Sequence, residues 1–334
     1  MSSPYRQQPD LSGLNLEDLS RLEHDLQLRK RALEQARPRP SRKPGQLSDE
    51  RLNKLIETHL AIEAEEAAKA GALGFMARAL TLATMPHSKP EISEFQRRNG
   101  AFVLSMHAPS HVGLPYGSKP RLLVAFLTTE AVRSKSRDIV LGDSLSDFMR
   151  ELGLMPTGGR WGSITSLKQQ MTRLFSATVS CVWESKDSTA IANMPIVSKA
   201  QLWWDPKRPE QAALWQSVVR LGEDFFNEVT QHPVPIDLRA IRAIKQSPMA
   251  LDIYFWLTHR LSYLRTTSRT IPWAALQMQF GSDYPNTNQG VRDFKKQFIA
   301  QFKKVHVVYP QARLTALPEG VVLMSSLPHI KKSG

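Results

Sequence analysis

Between Leu114 and Phe175 the apolar residues recur at helical spacing in three successive segments. Leu122, Leu123, Phe126 and Leu127 give one buried face to a helix that opens near Ser118-Lys119-Pro120, a cap with proline close to the first turn, where its missing N–H costs nothing. Asp143 and Ser144 open a second, shorter helix. Its Leu145, Phe148, Met149 and Leu152 fall at i, i+3, i+4 and i+7, Asp147 stands where a capping box places its acid, and Gly153 ends it. After a turn containing Gly158, Gly159 and Gly162, a third helix carries Ile164, Leu167, Met171 and Leu174 inward and leaves Thr165, Lys168, Gln169 and Arg173 on other faces. Alternation at Ala177, Val179, Cys181 and Trp183 then predicts a strand. The polar stretch Ser185–Ser188 is its turn, and Ile196–Trp204 is the expected return strand.

The same pattern occurs a second time. An offset of 128 residues carries Pro120 to Pro248, Leu123 to Leu251, Phe126 to Tyr254, Leu127 to Phe255, Leu145 to Trp273, Leu152 to Phe280 and Gly153 to Gly281. One residue is lost in the next turn, and an offset of 127 then carries Ile164 to Val291, Leu167 to Phe294, Met171 to Phe298 and Phe175 to Phe302, with Lys168 and Gln169 matched by Lys295 and Lys296. A repeated core with a repeated basic face implies two copies of one fold. Helix, helix, basic helix and hairpin is the order of a winged helix-turn-helix. The expected fold is therefore α+β and mostly helical, with two tandem winged helix-turn-helix domains over 91–205 and 206–328.

The flanking segments are plainer. Residues 1–46 form a polar segment in which Leu19, Leu26 and Leu33 make a seam hardly two heptads long, followed by a basic linker in which Arg37, Arg39, Arg42 and Lys43 alternate with prolines. A helical extension is expected over 47–90, starting at Ser48 or Asp49 and running by way of Ala67 to Leu80. Ala101–His107 would supply an edge strand of the first domain. Asp237 starts a small helix reaching Ile244, Ser247-Pro248 a longer one, Thr270-Ile-Pro272 the next, and Thr287–Lys304 is the second basic helix. A hairpin over Val305–Met324, with Gln311, Arg313 and Thr315 near its tip, would be the second wing, and 329–334 a basic tail.

Composition sharpens one point. The 334 residues include 44 Lys plus Arg against 31 Asp plus Glu, a net charge of +13, which favours a polyanionic partner. The surplus is also concentrated: from Asn286 onward there are eight basic residues and two acidic ones. No run approaches the roughly 18 apolar residues that cross a bilayer, and the N-terminus lacks the apolar stretch of a signal peptide, so a cytoplasmic protein without membrane contact is expected. Cys181 is the single cysteine, which excludes an intrachain disulfide and a thiolate zinc site.

Catalytic chemistry finds no footing in the sequence. Gly113-Leu-Pro-Tyr-Gly117-Ser-Lys119 is too short for a P-loop, and its lysine does not directly follow the glycine. His107 and His111 are separated by Pro109, which argues against a helical metal face, and no carboxylate cluster offers a two-metal site. No catalytic residue, metal or cofactor is expected. Instead, the third helix of each copy would enter a major groove of double-stranded DNA. Arg160, Ser163, Thr165, Lys168, Gln169 and Arg173 are the candidate contacts in the first copy, and Asn288, Gln289, Arg292, Lys295, Lys296 and Arg313 in the second.

Three strings carry a family resemblance. Gly113-Leu-Pro-Tyr-Gly-Ser-Lys-Pro-Arg-Leu-Leu, Leu145-Ser-Asp-Phe-Met-Arg-Glu-Leu-Gly-Leu and Pro156-Thr-Gly-Gly-Arg-Trp-Gly-Ser-Ile-Thr closely resemble the RepA-type replication initiators of bacterial plasmids. The resemblance is specific from about Phe95 to Trp204, fainter to Leu327 and poor before Leu47. It implies a tandem winged-helix protein that binds directly repeated origin sites, called iterons, recruits host initiator and helicase proteins, and exchanges between homodimer and monomer. A winged-helix transcriptional repressor acting at a promoter, its own gene's included, is the alternative that the same residues allow.

Overall fold

The computed structural model describes residue 67 and residues 71–184, 187–205, 207–211, 217–281 and 284–330. The heptad segment and basic linker of 1–46, the start of the helical extension at Ser48, and Lys331 and Lys332 lie outside the described residues. In chain order the elements are β1 (Leu73–Ala77), α1 (Arg78–Leu82), β2 (Glu94–Asn99), β3 (Phe102–His107), α2 (Ser118–Ser134), β4 (Asp138–Val140), α3 (Leu145–Glu151), α4 (Ser163–Phe175), β5 (Thr178–Glu184), β6 (Thr189–Pro195) and β7 (Val197–Gln201). There follow β8 (Val218–Leu221), α5 (Glu223–Gln231), β9 (Pro233–Asp237), α6 (Leu238–Ile244), α7 (Pro248–Tyr263), β10 (Ile271–Pro272), α8 (Trp273–Phe280), α9 (Asn288–Val308), β11 (Leu314–Ala316) and β12 (Gly320–Leu323). The fold is α+β, with the strands among the described residues divided among four small sheets.

Helix starts follow local chemistry. Ser144 caps α3, its Oγ accepting from the Asp147 N–H and donating to the Asp147 carboxylate. Asp237, Ser247 and Thr287 cap α6, α7 and α9, each accepting a first-turn N–H on its side chain. One expected cap is corrected. Gly117, at φ 77°, occupies the N-cap of α2 without a side-chain bond, and Ser118 is already helical.

Strand pairing departs further from the sequence pattern. Leu73–Ala77 is a strand, not the continuation of a helix to Leu80, because β1 pairs antiparallel with β9 from Leu73↔Asp237 to Ala77↔Pro233. The Phe75 N–H donates to Thr129 Oγ1 on α2 at 2.8 Å, so long-range partners override local helical preference here. The first hairpin is β5–β6, closing from Thr178↔Pro195 to Glu184↔Thr189. Its return strand is therefore Thr189–Pro195. Val197–Gln201, expected in that role, leaves to pair with β8 in a sheet ordered β4-β8-β7. In the four-stranded sheet β2-β3-β5-β6, the Phe102–His107 strand is internal, whereas an edge position was expected. The third sheet, β10-β12-β11, holds the second hairpin.

The two copies of the repeat are joined by one core. Helix α2 packs against β1, α4, α5 and α7, and its buried residues run almost continuously from Pro120 to Thr129. A single cluster of buried apolar side chains includes Leu123, Phe126 and Leu167 of the first copy together with Leu251, Tyr254 and Phe294 of the second. Seven of the ten apolar pairs matched by the offsets are buried in both copies; Pro248, Phe175 and Val291 are half-buried, the last two packed against the cluster. The second copy adds an aromatic centre, in which Phe298 lies edge-on to Trp256, Trp273 and Phe280 with ring centroids 5.6–6.3 Å apart.

Candidate nucleic-acid interface

Helix α4 is set by the glycine loop before it. Ser163 Oγ accepts the Thr157 backbone N–H at 2.9 Å and donates to the Met155 carbonyl at 2.5 Å, while the Ser163 backbone N–H donates to Thr157 Oγ1. Thr165 Oγ1 donates to the Gly159 carbonyl at 2.9 Å. These two candidates therefore hold the loop. Gly162 has no room for a side chain, since a Cβ there would lie 2.2 Å from the Thr157 carbonyl oxygen and 2.3 Å from that of Gly158.

The outward candidates divide from the structural ones on the same helix. Lys168 and Gln169 are exposed on consecutive positions, and Arg160 is exposed with its guanidinium 5.2 Å from the ring centroid of Trp161. Arg173 points back into the fold. Its Nη1 donates to the Leu114 carbonyl at 3.0 Å and its guanidinium sits 5.4 Å from the Tyr116 ring. The sequence reading passed over Trp161, which is 89% exposed within the glycine-rich string and is stacked beside a cation.

Helix α9 presents the second face. Phe294, Phe298 and Phe302 are buried, which turns Asn288, Gln289, Arg292 and Lys296 to the surface. Gln289 Nε2 donates to Asp293 Oδ1 at 3.0 Å, and Lys295 Nζ lies 5.3 Å above the Trp273 ring, half-buried. The second hairpin is shorter than expected. Val305–Val308 belong to α9, and the turn is Leu317–Gly320, so Gln311, Arg313 and Thr315 stand away from the tip. Arg313 is exposed and its N–H is held by Ser326 Oγ at 3.1 Å.

Two further arginines join this edge. Arg265 and Arg269 are exposed in the stretch between α7 and β10, which Ser268 ties to β12 through bonds with Leu323 in both directions. Their only signal in the sequence is a polar, doubly basic run, Arg265-Thr-Thr-Ser-Arg269, between two apolar helices.

No cluster of three His, Cys, Asp or Glu residues among the described residues could hold a metal, and no helix among them is long and apolar enough to cross a membrane. Burial pushes the Cys181 thiol up to about 12, with Glu228 adding to the shift, which keeps it a neutral side chain bordering the core.

No curated protein sequence matches the chain. Two crystal structures of domains 2 and 3 of RctB are similar to it. One, at 12% identity, covers 74% of this chain and 96% of that one with a TM-score of 0.45; the other, from selenomethionine derivatives, is 11% identical and covers 75% and 97% with a TM-score of 0.48. The family model described as plasmid encoded RepA protein matches residues 114–275, from the loop before α2 into the first turn of α8. Over those residues the chain is similar to the plasmid encoded RepA proteins, the replication-initiator family that its three motif strings resemble.

Proposed function

We propose that this chain is a non-enzymatic initiator of plasmid replication that binds directly repeated sites in double-stranded DNA and recruits host replication proteins to them. The observation that carries the reading is the doubled basic helix. In both α4 and α9 the core residues turn Lys168 and Gln169, or Arg292 and Lys296, to the surface, within or beside a segment matched to the RepA family. Each helix follows a short capped or proline-led helix and precedes a hairpin, the order of a winged helix-turn-helix. We assign the two as tandem winged-helix modules whose third helices occupy successive major grooves.

Within this reading the contacts separate by chemistry. Arg160 and Arg292 suit the paired acceptors of guanine, Gln169 and Gln289 suit adenine, and Lys168, Lys295, Lys296 and Arg313 hold phosphates. Ser163, Thr165 and Arg173 act indirectly, by fixing the loop and helix that present Arg160.

The test is maintenance in trans. A plasmid whose only origin is the DNA flanking this gene should replicate when the chain is supplied from a second replicon and be lost when it is not. Loss in both cases, together with shut-off of a reporter driven from the same DNA, would replace the initiator by a repressor.

A further inference from the structure

A cavity of about 540 Å³ opens where the first turns of α2, α4 and α7 come together. Lys119, Lys245, His87, Ser166, Gln170 and Gln246 supply its polar wall, and Gly117 and Ser118 bring the start of α2 to its edge. No aspartate or glutamate among the described residues lines it. The acid nearest in the hydrogen-bond network, Asp252, is already committed: His87 Nε2 lies 2.7 Å from its Oδ2, and Arg121 bonds both of its oxygens.

Lys119 is the cation here without an acidic partner among the described residues. Lys119 Nζ donates to Ser166 Oγ at 2.9 Å and has no carboxylate within ion-pair distance, and Lys245 Nζ donates to the Gly153 carbonyl. Lys119 is half-buried, and that burial lowers its pKa. A partly desolvated ammonium without a counter-ion gains from an arriving anion. The N-terminus of the 17-residue α2 adds to the field, because Gly117 offers no side chain to cap its first-turn N–H groups. Ammonium, hydroxyl and amide donors around a cavity that no described acid lines match a tetrahedral oxyanion.

We propose that this cavity binds a phosphoryl group through Lys119, Lys245 and the uncapped first turn of α2. Ser163 and Ser166 of α4 also line it, so it adjoins the first turn of the proposed recognition helix. The phosphoryl group is supplied either by the backbone of DNA lying along α4 or by a small phosphate compound. The first source rests on the DNA-binding reading above; the second does not.

The experiment uses the full chain with Lys119→Gln, Lys245→Gln and the charge-preserving Lys119→Arg. Binding of a random-sequence duplex is followed by fluorescence anisotropy across salt concentrations, and thermal unfolding is followed with and without millimolar pyrophosphate. If DNA is the source, each glutamine variant weakens duplex binding about ten-fold or more and lowers the salt slope by about one, while Lys119→Arg restores both. If a small phosphate compound is the source, pyrophosphate raises the unfolding temperature of the wild type saturably, the glutamine variants abolish the rise, and the salt slope is unchanged. Unchanged slopes with no pyrophosphate effect overturn the proposal. Should Lys119→Gln fail to unfold cooperatively, Lys245→Gln and Lys119→Arg decide by the same criteria. Should the wild type bind no duplex at all, the DNA-binding reading falls and pyrophosphate alone decides: a rise abolished by Lys245→Gln sustains the cavity, and no rise overturns it.

Discussion

Arg121 and Asp252 lie 131 residues apart, one in each copy of the repeat, and meet in two parallel hydrogen bonds, Nε to Oδ1 at 2.7 Å and Nη2 to Oδ2 at 2.6 Å. The arginine is fully buried, and its remaining protons go to the carbonyls of Met85, Pro86 and Gly117. Every donor of the guanidinium is thereby used. Burial works to raise the Asp252 pKa, but the charge of Arg121 and the bond from His87 outweigh it, and the carboxyl stays below its usual range. Removing one partner would strand the other charge in the core. Asp252→Ala is expected to cost about 3–5 kcal/mol, read as a fall in denaturation midpoint. A double replacement of Arg121 and Asp252 by apolar residues of similar size should cost far less than either single change.

A second buried network links stability to pH. Tyr254 Oη accepts the Asp237 N–H at 2.9 Å and lies 2.7 Å from His329 Nδ1, which accepts its proton when the imidazole is neutral at that nitrogen. Burial lowers the His329 pKa to about 4, with smaller contributions from Asp237, which opposes the shift, and Arg239. A histidine depressed on folding contributes stability that is complete above its unfolded value, about 6.5, and lost as pH falls toward its folded value. His259, lowered to about 4 by burial and by Arg78 and Arg260, acts in the same window. Unfolding free energy should thus drop between about pH 6.5 and 4, His329 contributing on the order of 3 kcal/mol. In His329→Gln the drop should be correspondingly shallower. Equal slopes in the two proteins would show that His329 titrates normally.

The glycine loop offers a steric test. A Cβ at Gly162 meets backbone carbonyls, which cannot swing aside as a side-chain tip can. Gly162→Ala is expected to displace the loop that carries Arg160, costing about 1–3 kcal/mol of stability. Affinity for specific DNA should fall by more than Arg160→Ala alone produces. Gly158→Ala, with open space around its Cβ position, serves as the tolerant control.

On α9 the two kinds of contact should separate in binding experiments. Arg292→Ala is expected to cost about 1–3 kcal/mol on the specific site and to relax preference at one base pair. Lys296→Ala should weaken specific and random duplexes alike and lower the salt slope by about one. If Arg292→Ala leaves both affinities unchanged, α9 does not occupy a groove.

What the sequence revealed depended on the range of the interaction. The caps at Ser144, Asp237, Ser247 and Thr287 bond to N–H groups within three residues, and the buried faces of α4 and α9 repeat every turn, so short windows contain the information. The pairing of β1 with β9 joins segments about 160 residues apart, and nothing local in Leu73–Ala77 distinguishes it from a helix. The apolar pattern places the return strand of the first hairpin too late in the chain because Thr189–Pro195 is an edge strand with all but Met194 exposed, so burial leaves little apolar signal on it. Lys168, Gln169, Arg292 and Lys296 could be placed outward from periodicity alone. The inward bonds of Ser163, Thr165 and Arg173 could not, because the same polar side chain serves a loop or a ligand with equal ease.

The most direct measurement is a footprint of the purified chain on DNA flanking its own gene, repeated across salt concentrations. The account expects protection of several direct repeats, each spanning two adjacent major grooves. Affinity should fall steeply with salt, as roughly 0.9 counterions leave per neutralised phosphate. A single protected palindrome over a promoter would contradict the initiator, and the absence of any protected sequence would contradict specific DNA binding altogether.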